Sequence, residues 1–396
     1  MSDLENFRKE ARAWLEENCP ASMRTPMPLD EIPLGGRRKS NHKNPDTTLW
    51  LQRMGAKGWT APTWPKEYGG GGLSREEAKV LAEEMDKLGC RPAHMGFGMT
   101  MIGPTLLELG SPAQKAEHIP KIIRGEICWC QGYSEPGAGS DLASLQTKAV
   151  DDGDHFIITG QKIWTSSADK ADWMFCLVRT DPKEKHRGIT FILFDMASEG
   201  VSVKPIKLIS GLSPFCETFL DSVRVPKSNV VGKINDGWTI AKRLLQHERD
   251  SISTIGSTTN KLRPALPEHA KHYVGVENGK LADPQLRQEI AHFRMNQRAF
   301  ELTKERSSQE QKAGEGPSAT SSIFTYYGTE QNKRKYEIML AFMGNAALGW
   351  EGEGFAEDEL KITREWLRSK GNSIEGGTTE VQLNIIAKRV LGLPDA

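Results

Sequence analysis

Apolar residues recur at helical spacing through "LENFRKEARAWLEEN" and "REEAKVLAEEMDKLG", so the pattern predicts amphipathic helices up to about residue 126. The period then changes. "HFIITGQKIWT", "WMFCLVRTD", "GITFILFDM", "VSVKPI" and "TFLDSVRVP" are short, β-branched and aromatic-rich, with Gly, Asp or Pro clusters between them. These are strand signals at the spacing of an antiparallel sandwich or barrel, ending near residue 228. From "GWTIAKRLLQHERDSISTIGS" onward the helical period returns in long segments such as "SSIFTYYGTEQNKRKYEIMLAFMG" and "EVQLNIIAKRVLG". The prediction is an α+β chain of three domains: helical over 1–126, β over 127–228 and helical over 229–396. A length of 396 residues agrees, being more than one hydrophobic core usually spans.

Composition narrows the function classes. Charges balance, with 52 basic and 52 acidic residues and no charged tail, which disfavours a nucleic-acid groove or a basic membrane face. Mean hydropathy is −0.51. No apolar run approaches the ~20 residues of a membrane span. The opening "MSDLENFRKEARAWLEE" has neither a signal-peptide core nor the look of a transit peptide, so a cytoplasmic location is expected. The six cysteines are scattered, and no neighbouring His or second pair completes a metal set around Cys128 and Cys130. They read as small buried hydrophobes, and no metal is expected.

Two local features suggest ligands and have plainer readings. The run Gly69–Gly72 looks like a phosphate loop but lacks the strand and the Lys-Ser/Thr ending. A turn before a helix capped by Ser74, with Glu77 three residues on, explains it better. Arg37, Arg38 and Lys39, in the insert "MPLDEIPLGGRRKSNHKNPD", form a basic cluster. It reads as solvated, or as meeting the phosphates of a ligand.

Chemistry concentrates in the β segment. "QGYSEPGAGSDLASLQTKA" is a Gly-rich loop between strands, where the backbone can approach a flat or charged ligand closely. No helix follows it, so it is not a dinucleotide fingerprint. "ITGQKIWTSSADKADW" puts Trp164 beside the hydroxyls of Thr165 and Ser166, a set able to shield an aromatic ring and bond its edge. With "TFLDSVRVPKSNVVGKINDGW" and "IEGGTTEVQLNIIAKRVLGLP", these blocks resemble the acyl-CoA dehydrogenase family, in family order and over nearly the whole chain.

The resemblance implies an N-terminal helical domain, a middle β-domain and a C-terminal four-helix bundle. It implies FAD, an acyl-CoA thioester substrate and an electron-transferring flavoprotein as partner. It further implies an oligomer, usually a tetramer, formed with itself or with a related subunit. Gln131, Tyr133, Ser134, Gly139 and Ser140 would line the flavin on one side, with Ser140 also approaching the CoA. Trp164, Thr165 and Ser166 would contact its other side, and Thr378 and Glu380 match further FAD positions. In the implied reaction a carboxylate takes the α-proton of the thioester while the β-hydride leaves, giving a trans-2-enoyl-CoA. A backbone N–H helps to stabilise the enolate, and desolvation tunes the base.

Two carboxylates compete for the role of base. Many relatives place it directly before a Gly-Thr pair; here that place is Gly376, before Gly377 and Thr378, and Glu375 stands one residue early. Another branch takes the base from the helix after the β-domain, where Glu248 falls on the matching position. Ala241, Leu245, Glu248 and Ile252 share a helical face at i, i+4, i+7, i+11 spacing, and the face is otherwise apolar. Glu248 is therefore the preferred base and Glu375 the alternative, with the Gly376 N–H directed at the thioester carbonyl. Gly377 and Arg249 match positions near the substrate.

The chain departs from the family in two places. It lacks an Arg-x-x-Phe-Gly segment, and Gly344 is all that remains of a Gln-x-x-Gly-Gly contact. Such departures occur in a branch acting on bulky or ring-containing thioesters, some of whose members are heteromers. Rival readings are a same-fold monooxygenase or CoA-thioester desulfinase, or a non-catalytic subunit of a heteromeric dehydrogenase.

Overall fold

A computed structural model describes residues 3–28, 31–36, 38, 42–245, 265–313 and 321–394. They form two compact units, residues 1–206 with 214–251, and residues 207–213 with 252–396.

The first unit begins with helices α1 (Asp3–Asn18), α2 (Pro45–Ala56), α3 (Arg75–Lys87), α4 (Gly103–Leu109) and α5 (Pro112–Ile123). Ser74 caps α3 as expected: its side chain accepts from Glu77 N–H and the Glu77 carboxylate accepts from Ser74 N–H. The glycine run before it is spent on the chain itself. The N–H groups of Gly70, Gly71 and Gly72 donate to Pro65, Ala61 and Trp64 carbonyls, leaving none for a phosphate. A Cβ on Gly70 would stand 2.4 Å from Trp64 O, so only glycine permits this approach. Ala11, Leu15, Trp50, Met54, Trp59 and Leu81 pack into one core behind α1, α2 and α3.

Seven strands form one sheet: β1 (Trp129–Gly132), β2 (Lys148–Asp152), β3 (His155–Ser166), β4 (Trp173–Arg179), β5 (Ile189–Asp195), β6 (Val201–Ile206) and β7 (Phe215–Pro226). The order is β1-β4-β2-β3-β7-β6, with β5 also on β4. The antiparallel character expected from the sequence holds for β2–β3, β3–β7, β4–β5 and β6–β7. However, β1 and β2 both pair parallel with β4. Neither neighbours β4 through a tight hairpin; intervening chain supplies the crossover that parallel pairing needs.

Strict alternation on β4 and β5 divides two cores. Phe175, Leu177, Ile189, Phe191 and Leu193 face a cluster shared with Ile102, Leu106, Ile119 and Ile122 of the helical segment. Met174, Cys176, Val178, Ile192 and Phe194 face the opposite way, with Ile158, Leu220 and Val223. Helix α6, described over 237–245, adds Ile240, Ala241 and Leu244 to the first cluster.

The insert between α1 and α2 is tied to the sheet by charge. Arg38 Nε donates to Asp172 Oδ1 at 2.9 Å and Nη1 to Asp195 Oδ1 at 2.7 Å; Asp172 is buried and also accepts from Cys128 N–H. Arg38 is therefore neither solvated alone nor available to a phosphate; Arg37 and Lys39 lie outside the described residues. The cysteines are free thiols, and all but Cys90 are buried.

The second unit holds α7 (Leu266–Val274), the two-residue strands β8 (Val276–Glu277) and β9 (Lys280–Leu281), and then α8 (Pro284–Lys312), α9 (Ser321–Met343), α10 (Glu357–Ser369) and α11 (Thr379–Ile385). Helix α9 contacts α7, α8, α10 and α11. Its Ile338, Met339, Phe342 and Met343 bury against Ala270, Ile290, Phe293 and Ile362. Among the described residues no helix is long and apolar enough to cross a membrane.

His118 is buried with its ring edge-on to Trp129 and Trp173, and burial lowers its pKa from 6.5 to about 4. The neutral ring is the folded form, so the unfolded chain binds the extra proton. The contribution of this group is complete above pH 6.5 and is lost as pH falls from there toward 4, on the order of 3 kcal/mol in all. We expect His118→Leu to retain more of its melting temperature than the parent as pH drops through this window, read by circular dichroism at each pH.

Candidate functional site

The Gly-rich loop leaves β1 at Gln131 and Tyr133. Tyr133 is buried, edge-on to Phe175 and Phe191 at 6.0 and 6.4 Å between ring centroids. Ser134 O accepts from Ile163 N–H at 2.9 Å, so the loop runs directly against β3. Glu135 and Ala138 close a tight turn by exchanging backbone hydrogen bonds. Gly137 within the turn and Gly139 beyond it have nothing within 4 Å of a would-be Cβ, and Gly139 and Ser140 are exposed.

Strand β3 carries the opposing residues. Its register against β7 slips between Lys162 and Thr165, where β3 has one residue more than its partner. Trp164 sits at this bulge with φ of 58°, a left-handed conformation that costs energy for a bulky residue. The bulge turns the indole outward, 53% exposed and edge-on to Phe215, and turns Thr165 inward with no exposure. Ser166, half-buried, pairs with Phe215. Thr165 Oγ1 and Gln131 Nε2 are buried and find no hydrogen-bond partner among the described residues. Buried polar atoms without partners are rare, and a polar ligand edge is one explanation.

A pair that sequence reasoning passed over joins the loop to β3. Lys162, with no exposure, donates from Nζ to Glu135 Oε1 at 2.8 Å and to Tyr133 O at 3.2 Å. Burial pushes the Glu135 carboxyl up, but the Lys162 charge and the Gln146 and Thr147 N–H groups outweigh it and hold the pKa below the usual value. A signal was present: Phe156, Ile158, Gly160 and Lys162 share one parity of β3, and the first two are core residues.

The second unit holds the remaining described residues. Gly376 and Gly377 both have positive φ, 67° and 98°. Thr378 caps α11, its hydroxyl accepting from Val381 N–H at 3.2 Å, and Glu380 is exposed in the first turn. Glu375 is occupied: Arg368 Nη2 donates to its Oε2 at 2.6 Å and Asn372 Nδ2 to its Oε1. Gly344 keeps a positive φ of 55°. Glu248 and Arg249 lie outside the described residues. No group of metal-binding side chains occurs among the described residues.

The helical, β, helical order, with a Gly-rich loop bonded along β3, defines a class of three-domain α+β proteins. Profiles of the acyl-CoA dehydrogenase N-terminal, middle and C-terminal domains match residues 2–126, 130–223 and 235–391, and the chain belongs to that family. Acyl-CoA dehydrogenase IpdE1 of Mycobacterium tuberculosis is 34% identical, over 100% of this chain and 99% of its own. Among solved structures, the Tcur3481-Tcur3483 steroid ACAD is 33% identical with a TM-score of 0.78, covering 99% of this chain and 98% of that one. The ChsE4-ChsE5 complex from Mycobacterium tuberculosis is 30% identical with a TM-score of 0.74, covering 100% and 99%. Acyl-CoA dehydrogenases are oxidoreductases, and the family's members are flavoproteins.

Thr165→Val removes the unpartnered hydroxyl at nearly constant shape. Melting of the cofactor-free protein should show stability unchanged within about 1 kcal/mol or slightly raised, because no hydrogen bond is lost. A fall of several degrees would contradict the unpartnered state.

Proposed function

We propose that this protein is an FAD-dependent acyl-CoA dehydrogenase that converts a bulky, ring-bearing acyl-CoA to its trans-2-enoyl thioester. The observation that carries the reading is the Gly-rich loop bonded along β3, with a buried polar atom lacking a partner on each side, Gln131 Nε2 and Thr165 Oγ1, and a half-exposed indole on the strand. These features fit a planar ring with polar edges. FAD, when bound, supplies the acceptor for the hydride leaving the β-carbon. Gln131, Tyr133, Ser134, Gly139 and Ser140 would hold it from the loop side, and Trp164, Thr165 and Ser166 from β3. The resemblance adds Thr378 and Glu380 to this set, and places Ser140, Arg249 and Gly377 toward the substrate.

The proposed base is Glu248, which takes the α-proton, and the Gly376 N–H donates to the thioester carbonyl as negative charge grows there. Two facts favour Glu248 over Glu375. Ala241 and Leu244 are buried, and in the sequence Glu248 follows them at the seven- and four-residue spacing of an apolar helical face. Glu375 is held by Arg368 and Asn372 and lies exposed. The ring-bearing substrate class rests on the relative described as a steroid ACAD. An electron-transferring flavoprotein is the proposed electron acceptor.

A second reading concerns assembly. Two of the similar solved structures are named for two chains, ChsE4-ChsE5 and Tcur3481-Tcur3483. The protein would then act as one partner of a heteromer, with flavin in only some subunits. A yellow homo-oligomer active alone would dispose of it.

Glu248→Gln should keep bound FAD and slow anaerobic bleaching of the flavin by acyl-CoA by about 10²–10⁴-fold. Glu375→Gln should leave the bleaching rate within a few-fold of the parent. The reverse outcome would transfer the base to Glu375. Ring-bearing CoA thioesters should bleach the flavin faster than straight-chain ones.

A further inference from the structure

Two buried residues tie the Gly-rich loop to itself and to β3. Glu135 begins the Gly-rich loop and its carboxylate reaches the far end, accepting from Gln146 N–H at 2.6 Å and Thr147 N–H at 2.9 Å. One side chain thus ties together the two feet of the loop. Lys162 Nζ then ties the first foot to β3, through Glu135 Oε1 and Tyr133 O, two residues before Trp164. Both side chains are more than nine-tenths buried.

Stability alone is a weak reason for such a pair. Desolvating two charges costs about as much as their attraction returns, and an apolar pair of similar volume often serves as well. An ion pair does supply direction, since hydrogen bonds of fixed length hold their anchor points at fixed separation. Here the anchor points are the backbone of Tyr133 on one side and of Lys162 on the other. The same strand carries Trp164 and Thr165, two and three residues further on.

We propose that Glu135 and Lys162 are positioning residues: their buried ion pair sets the spacing between Tyr133–Ser134 and Trp164–Thr165, and with it the fit and surroundings of the bound flavin. The inference rests on the FAD reading above. Neither residue touches the substrate; both act through the backbone they hold.

The test uses full-length protein as the parent, Lys162→Met, Glu135→Gln and the double variant Glu135→Gln with Lys162→Met. Each is stripped of cofactor, retitrated with FAD, and compared by flavin absorption spectrum, two-electron midpoint potential and melting temperature. Lys162→Met should weaken FAD binding by about tenfold, the usual size of an effect exerted from behind a ligand. It should also blur the fine structure of the long-wavelength flavin band and shift the midpoint potential. The double variant should regain melting temperature, because no charge is left buried alone, while its FAD affinity and spectrum stay altered. If Lys162→Met does not fold, the double variant carries the comparison. Wild-type affinity, spectrum and potential in the double variant would overturn the proposal and reduce the pair to a structural one. A parent chain that takes up no FAD would overturn the FAD reading and this proposal together.

Discussion

A lysine with no exposure cannot stay charged unless a carboxylate meets it at once, and Lys162 meets Glu135. That requirement organises the middle of the first unit. It draws the start of the Gly-rich loop under β3, and the spare lone pairs of Glu135 then capture the loop's return at Gln146 and Thr147. The loop's outer part can be exposed and rich in glycine because its base is held by charge-assisted bonds and by the burial of Tyr133, Ala143 and Leu145.

Around this pair the sheet performs a separate division of labour. Strands β4 and β5 bury both faces, one toward the helices and one toward β3 and β7. The stacked rings of Phe175 and Phe191, 6.0 Å apart, lie on the helix side and support Tyr133 edge-on. The loop therefore rests on the helical core through Tyr133 and on β3 through Lys162. Arg38 adds a third tie, since two carboxylates of the sheet hold a segment that precedes α2.

Periodicity made the elements legible, because burial on one side leaves a period of 3.6 or 2 that the sequence must carry. The Ser74 cap and the plain reading of the glycine run were legible too, since their partners lie within a few residues. Trp164 and its neighbours stood out by residue type. Lys162 was legible in principle, as a charge at an inward parity, but its partner is 27 residues away and only the fold joins them. The role of Arg38 was not legible at all. Its carboxylates stand 134 and 157 residues further along, and nothing local distinguishes a paired arginine from a solvated one. The parallel pairing of β1 and β2 with β4 was hidden likewise, because alternation reports which face is buried and not which neighbour a strand meets.

The bulge at Trp164 affects how relatives of this chain are to be compared. Upstream of it even-numbered residues of β3 point inward, and downstream Thr165 does. A second slip lies opposite, on β7 near Ser222, which also adopts a positive φ of 56°. The strand is therefore two reading frames of the pleat joined at one residue. An alignment that closes or opens a single gap between Lys162 and Thr165 exchanges outward for buried positions at the end of the strand, even while every matched letter looks conservative.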